Sequence, residues 1–122
     1  MTAIAVAICG GLGALARYGL EGYIAPRQRS PFPLSTLIVN VTGSAALGLL
    51  VGLVFARTLD GSVLPWAATG FLGGYTTYST FTYETLRLIE DSAWRQVLLN
   101  VLLSGPLCFA AAGVGFALGR LA

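Results

Sequence analysis

The residues best suited to handling charge fall in one stretch, Gly70-Phe71-Leu72-Gly73-Gly74-Tyr75-Thr76-Thr77-Tyr78-Ser79-Thr80-Phe81. Gly70, Gly73 and Gly74 each cost roughly 1 kcal/mol of helix propensity relative to alanine. The hydroxyl residues Thr76, Thr77, Ser79 and Thr80 follow at once. The stretch lies inside a hydrophobic segment long enough to cross a bilayer, where unpaired backbone groups cannot face lipid. A break at that depth must face protein or a water-filled cavity. A transmembrane helix interrupted near the midplane is the usual build of an ion site. The half-helix after the break would aim the positive end of its dipole at the midplane, toward an anion. The carbonyls that end the half-helix before it suit a cation. Tyr78 and Phe81, three apart, share a face of the second half-helix. Aromatics at that spacing commonly serve packing, yet their ring edges are electropositive and can contact an anion.

Other polar residues sit within apolar runs. Asn40 in hydrocarbon must be satisfied, either by an interhelical hydrogen bond of roughly 0.6–2 kcal/mol or by donating its amide to an anion. Arg17 is costly in a span and must face the interior, water or a partner. It either pairs with Glu21, four residues on, and snorkels, or acts as a vestibule charge that attracts anions. The chain has no His, which removes the commonest general base and metal ligand. There is no P-loop, no carboxylate pair within one span, and no serine with a base in a plausible motif. These absences point away from an enzyme.

The positioning elements follow from composition. Of 122 residues, 56% are hydrophobic and 10% charged, against about a quarter charged in a soluble domain. Mean hydropathy is +0.79. This is an integral membrane protein of all-α class with no separate soluble domain. Four spans are expected, at about 2–25, 34–56, 63–89 and 93–121, forming a single transmembrane domain. In the first, Gly10, Gly13, Ala14 and Arg17 lie along one face, where small residues admit another helix closely. Pro26 ends it. In the second, Thr36, Asn40, Ser44, Gly48 and Gly52 step by four and share a slowly drifting face. The third would be roughly 40 Å long if unbroken, more than the hydrocarbon needs; a break near Gly73 to Thr76 resolves the excess. Ser92 is expected to N-cap the fourth, in which Asn100, Ser104, Cys108 and Ala112 form a second stripe. Gly115 and Gly119 make a GxxxG pair, and Pro106 is a candidate kink. Cys9 and Cys108 have neither disulfide nor zinc spacing and are expected as small buried residues. The N-terminal run lacks a basic n-region and is not expected to be a cleaved signal peptide.

The seven basic residues are all Arg, and the formal net charge is +2. With both termini on one side, Arg57 and Arg120 face one compartment, while Arg27, Arg29 and Arg95, with Arg87 near the boundary, face the other. So small a bias sets orientation weakly. Insertion in both directions and an antiparallel dimer follow as an expectation. Four small helices can hardly enclose a pathway alone, which also favours a homo-oligomer. Nothing suggests a nucleic-acid surface.

Three motifs carry a resemblance: Gly10-Gly11-Leu12-Gly13-Ala14-Leu15-Ala16-Arg17-Tyr18, Thr36-Leu37-Ile38-Val39-Asn40-Val41-Thr42-Gly43-Ser44, and Gly70 to Phe81. In order and spacing the chain resembles the Fluc-type (CrcB) fluoride channels across its first three spans, and matches them in length and span number for the fourth. The resemblance implies a bacterial inner-membrane, multi-pass protein that confers fluoride resistance. It implies an antiparallel, dual-topology homodimer in the lipid bilayer with two pores, through which cytoplasmic fluoride leaves by passive electrodiffusion. It implies a structural Na+ on the twofold axis, held by the backbone carbonyls of Gly73 and Thr76. Asn40 matches the pore asparagine, Phe81 a pore phenylalanine, Ser79 and Thr80 the adjacent hydroxyls, and Arg17 an arginine near the pore mouth. Tyr78 stands where most members carry the other phenylalanine. Asn100, Ser104 and Cys108 fall where the family places a stripe of Tyr and Ser.

Two other classes fit four short spans. A proton-coupled multidrug exporter needs an ionisable carboxylate deep in a span; Glu21 and Glu84 are the candidates, each toward a helix end. A non-transporting assembly subunit would use the polar stripes for packing alone.

Overall fold

The computed structural model describes residues Thr2–Ala122, and it is all-helical among the described residues. Helix α1 spans Thr2–Ile24 and runs into a 3-10 turn, Ala25–Arg27, imposed by Pro26. Arg27 closes that end: its Nη1 donates to the Tyr23 carbonyl, and its guanidinium lies 3.8 Å from the Tyr23 ring centroid. Helix α2 spans Leu34–Phe55. Arg57 follows it at φ 62°, and the Arg57 and Thr58 N–H groups donate back to the Val54 and Leu53 carbonyls. This pair of bonds is a Schellman ending with arginine in the position glycine usually takes.

The third hydrophobic segment is not one rod. Helix α3 starts at Pro65 as a π-wound stretch, Pro65–Leu72, and finishes as a single α turn, Gly73–Tyr75. Thr76 is extended (φ −77°, ψ 160°). Helical winding resumes in α4, Ser79–Glu90, which is the amphipathic helix of the set. Helix α5 spans Trp94–Arg120 and continues through Pro106. Three helices, Thr2–Arg27 with its terminal turn, Leu34–Phe55 and Trp94–Arg120, are long and apolar enough to cross a membrane.

Glycines fasten the helices in pairs. On α2 and α5, a Cβ at Gly48 would overlap the Ala112 carbonyl, and one at Gly115 would overlap the Ala45 carbonyl. On α1 and α3, a Cβ at Gly13 would overlap the Phe71 carbonyl, and one at Gly74 the Gly10 carbonyl. Backbones this close are held by van der Waals packing, the force left to helices whose surroundings are as apolar as leucine. Gly70, Gly73 and Gly74 therefore remain within helical winding. Gly70 and Gly74 seat α3 on α1, and the chain leaves the helix one residue after Tyr75.

Burial is inverted relative to a water-soluble domain. The buried hydrophobic side chains are Val39, Leu88 and Val97, whereas Thr36, Thr77, Asn100 and Ser104 are buried polar residues. Large apolar side chains such as Tyr18, Phe109 and Leu121 face outward. That distribution suits a lipid solvent, in which polar groups must find partners inside the protein.

Ser92 does not cap α5. It adopts φ 55° and ends α4, with the Ser92 and Ala93 N–H groups donating to the Ile89 and Leu88 carbonyls. Ala93 precedes α5 with no side-chain cap. The tight return between two antiparallel helices needs a left-handed residue, and that geometry overrides the capping preference of serine. Cys9 and Cys108 are free and half-exposed, so neither is fully buried.

Candidate functional site

The gap between α3 and α4 is closed by side chains. Asn40 of α2 meets the Thr77 peptide on both sides: its Nδ2 donates to the Thr77 carbonyl at 2.8 Å, and the Thr77 N–H donates to Oδ1 at 2.8 Å. The two bonds fix the orientation of the amide, since the Thr77 carbonyl needs a donor and its N–H an acceptor. Thr77 then acts as the functional cap of α4, its Oγ1 accepting the Thr80 N–H at 3.1 Å and donating to Thr80 Oγ1 at 3.0 Å. The Thr76 N–H and hydroxyl both donate to the Leu72 carbonyl, at 2.9 Å each.

These captures leave specific groups free. In a continuous helix the Thr77 N–H would serve the Gly73 carbonyl, and the Thr80 N–H the Thr76 carbonyl. Asn40 Oδ1 has taken the first donor and Thr77 Oγ1 the second. The carbonyls of Gly73 and Thr76 are therefore without helical donors. They are neutral, hard oxygens at a helix C-terminus, the type of ligand Na+ accepts. On the other side of the gap, the N–H groups of Tyr78 and Ser79 have no backbone acceptor. An asparagine amide carries two N–H donors; Thr77 uses one, and the other remains for a ligand.

A cavity of about 580 Å³ opens beside the gap, lined by Asn40, Thr77, Tyr78, Phe81, Ser104 and Cys108 among others. Gly73 and Thr76 also border it. Tyr78 and Phe81 lie with ring centroids 6.0 Å apart, tilted by 35°. Ser79 and Thr80 are not in the lining; Ser79 Oγ lies 3.3 Å from Thr77 Oγ1. Arg17 is half-exposed on α1, away from this lining. It does not pair with Glu21 Oε1, which is buried without a hydrogen-bond partner. Arginine placed N-terminal to glutamate is the poorer order for an i,i+4 pair.

A second polar chain continues from the cavity toward the α4–α5 turn. Asn100 Nδ2 donates to Thr85 Oγ1 at 2.9 Å, Thr85 Oγ1 donates to the Phe81 carbonyl at 2.7 Å, and Ser104 Oγ donates to Asn100 Oδ1 at 3.2 Å. Asn100 is 1% exposed. Thr85 is the residue that motif spacing did not single out, and Thr77 was marked only as one hydroxyl of the central stretch, not as the partner of Asn40. Thr77 acts through its backbone, and Thr85 meets a partner on another helix, so neither leaves a local sequence signal beyond a hydroxyl in an apolar run.

Residues 4–116 match the model of the CrcB-like protein, Camphor Resistance (CrcB) family. The chain belongs to the CrcB family. Among curated members, it is 44% identical to fluoride-specific ion channel FluC 1 of Leifsonia xyli subsp. xyli, over 100% of this chain and 89% of the relative. It is 44% identical to fluoride-specific ion channel FluC of Coxiella burnetii, over 90% of each chain. It is 42% identical to the protein of that name from Geobacter metallireducens, over 98% of each. CrcB membership and three apolar helices make this a multi-pass membrane protein, and its relatives are bacterial.

Proposed function

We propose that the chain is a fluoride-selective channel, through which fluoride leaves the cytoplasm passively. Curated CrcB relatives carry that name across nearly their whole length, and none of those named is an exporter or an assembly subunit. The observation that carries the reading is the grip of Asn40 on Thr77. It holds the third segment open and leaves donors on one side of the gap and acceptors on the other. Fluoride is small and strongly hydrated, so a pathway must replace its water with close donors. The spare Asn40 N–H and the ring edges of Tyr78 and Phe81 border one cavity and are of that type; Ser104 lines the same cavity, and its hydroxyl would serve fluoride on turning from Asn100 Oδ1. The hydroxyls of Ser79 and Thr80 would extend the track, and Arg17 would raise the local anion concentration at its mouth.

The interruption lies mid-membrane in this reading, and the working unit is an antiparallel homodimer in the bilayer with two pores. The outward aromatic faces and the open cavity flank are what a second copy would cover. Gly73 and Thr76 would each offer a carbonyl to a Na+ on the twofold axis, so that two copies supply four oxygens. The ion would fasten the two interruptions together; transport itself would use the donors described above.

Fluoride efflux from proteoliposomes tests the reading. Rapid, passive release of fluoride with chloride retained is expected; robust chloride flux without fluoride flux would reject it.

A further inference from the structure

The chain holds two asparagines, Asn40 and Asn100, and their surroundings differ in one respect. Asn40 meets a peptide, whose N–H donates and whose carbonyl accepts, so its amide has a single orientation. Asn100 meets two hydroxyls, Thr85 Oγ1 on α4 and Ser104 Oγ one turn along α5. A hydroxyl can donate or accept, so neither neighbour fixes the polarity of the Asn100 amide. Asn100 is 1% exposed, which shuts its amide off from bulk water.

As the bonds stand, every proton in this chain points away from the cavity. Ser104 Oγ donates to Asn100 Oδ1 at 3.2 Å, Asn100 Nδ2 to Thr85 Oγ1 at 2.9 Å, and Thr85 Oγ1 to the Phe81 carbonyl at 2.7 Å. Ser104 lines the cavity, yet with its proton taken it has lone pairs left to offer, which suit no anion. Two routes would turn that proton toward an anion. If Ser104 alone rotates, Asn100 Oδ1 is left as a bare, buried acceptor, at the full cost of its desolvation. If the amide turns over as well, Thr85 donates to Oδ1, Nδ2 donates to Ser104 Oγ, and the Ser104 proton is released. The bond given up is the one to the Phe81 carbonyl, which lies within α4 and keeps its helical N–H donor. The oxygen and nitrogen of an amide are close to interchangeable in shape, so the reversal needs no movement of either helix.

We propose that Asn100 is a positioning residue whose amide turns over to switch Ser104 from acceptor to donor as fluoride enters the cavity. The role rests on the chain conducting fluoride. In the reversed chain each bond polarises the next, so Ser104 meets the ion as a strengthened donor. When the ion leaves, the chain runs back, which keeps the bound state shallow enough for release. Asn100 touches Ser104 and Thr85 rather than the ion, and it is not part of the cavity wall.

Labelling the asparagines of the full chain with a nitrogen isotope gives two side-chain amides to follow by NMR, and Asn100→Leu assigns them by deleting one. In detergent, NaF is expected to move the Asn100 amide signals and NaCl to leave them in place. Ser104→Ala should abolish that movement while the Asn40 signals still respond. In proteoliposomes, Ser104→Ala should slow fluoride efflux by about tenfold, as loss of a hydrogen bond to a charged partner does. Asn100→Asp, whose ionised carboxylate accepts from both hydroxyls, should slow it as much by holding the Ser104 proton. The double variant should lie within about twofold of the slower single one, because both changes act through one proton. Losses that multiply would mean that the aspartate acts by its charge alone, and would overturn the proposal. Asn100 signals unmoved by NaF, in a wild-type chain that passes fluoride, overturn it and leave the fluoride reading intact. A wild-type chain that passes no fluoride removes both. The wild-type spectrum reads the reversal even if a variant folds poorly.

Discussion

Asn40 and Thr77 are joined by two hydrogen bonds, each 2.8 Å long, that pair a side-chain amide with a backbone peptide as neighbouring strands pair in a sheet. The exchange gives the interrupted segment a fixed partner where lipid offers none. It also shows that the competing roles of Asn40, interhelical bond and anion donor, are compatible, because the amide has a second N–H. Asn40→Ala would leave both Thr77 groups unpaired, at about 1–3 kcal/mol for each buried group. Fluoride efflux should fall and the thermal midpoint should drop together. Asn40→Asp should be as damaging to flux, since an ionised carboxylate cannot donate to the Thr77 carbonyl and adds a repelling charge. Wild-type midpoint and flux in Asn40→Ala would sink this account.

Thr77 is the second support of the gap. Thr77→Val removes the cap on the Thr80 N–H, worth about 0.5–2 kcal/mol, and releases that donor toward the Thr76 carbonyl. The helix then has reason to wind back through the gap. Thr77→Ser keeps the oxygen and should behave as wild type. If Thr77→Val matches Thr77→Ser in both midpoint and flux, the Oγ1 bond does not hold the gap.

Much of this was readable in the sequence, for reasons that differ by residue. Apolar runs and their breaks announce membrane-crossing helices because lipid permits few alternatives. Gly115 and Gly119 announced a close helix contact because only hydrogen side chains let backbones meet, and both are buried where α5 packs against α2. The glycines of the third segment were harder to read. Low helix propensity suggested that they unwind the chain, but at Gly70 and Gly74 seating α3 on α1 outweighs roughly 1 kcal/mol each, and the departure falls at Thr76. Ser92 misled because capping preference is local, whereas its left-handed backbone answers to the antiparallel return. The meeting of Thr85 with Asn100 joins two helices, and no local period encodes it.

The glycine contacts predict opposite outcomes at two positions. Gly48→Ala drives a Cβ into the Ala112 carbonyl, a backbone atom that cannot rotate away. Overpacking of this kind costs typically about 1–3 kcal/mol, so the midpoint should fall and α2 should part from α5. Gly11→Ala meets nothing within 4 Å and should raise stability by up to about 1 kcal/mol through helix propensity. Thermal unfolding in detergent decides between them. Equal effects would mean that the α2–α5 contact is not backbone-limited.

The turn between α2 and α3 carries a pH-sensitive group that faces water. Asp60 accepts the Ser62 N–H at 2.8 Å, and hydrogen bonds from Ser62 hold its carboxyl below the usual carboxylate range. A depressed folded value means that the ionised form is favoured by folding. Its contribution is therefore complete above the unfolded value of about 3.9 and is lost as pH falls through the lower folded value. Amide exchange at Ser62 and Val63 should be unaffected by acidification from pH 7 to 5, apart from the intrinsic rate, and should accelerate only below about pH 4. Asp60→Asn should abolish that acid step while retaining the cap. Acceleration already at pH 5–6 would contradict the assignment.

The paired rings separate a hydroxyl effect from an aromatic one. Tyr78 is 79% exposed in the protomer, and Phe81 is half-buried on the cavity wall. An aromatic edge contact contributes about 0.5–1.5 kcal/mol beyond buried area, so Phe81→Ile should slow fluoride efflux by up to about tenfold. The midpoint should change little, because a bulky apolar side chain still fills the site. Tyr78→Phe keeps the ring and deletes only the hydroxyl. Flux close to wild type would assign the role of Tyr78 to its ring edge. A loss as large as that in Phe81→Ile would assign it to the phenol as a donor, and the selectivity of this chain would then rest on a group that phenylalanine-bearing relatives lack.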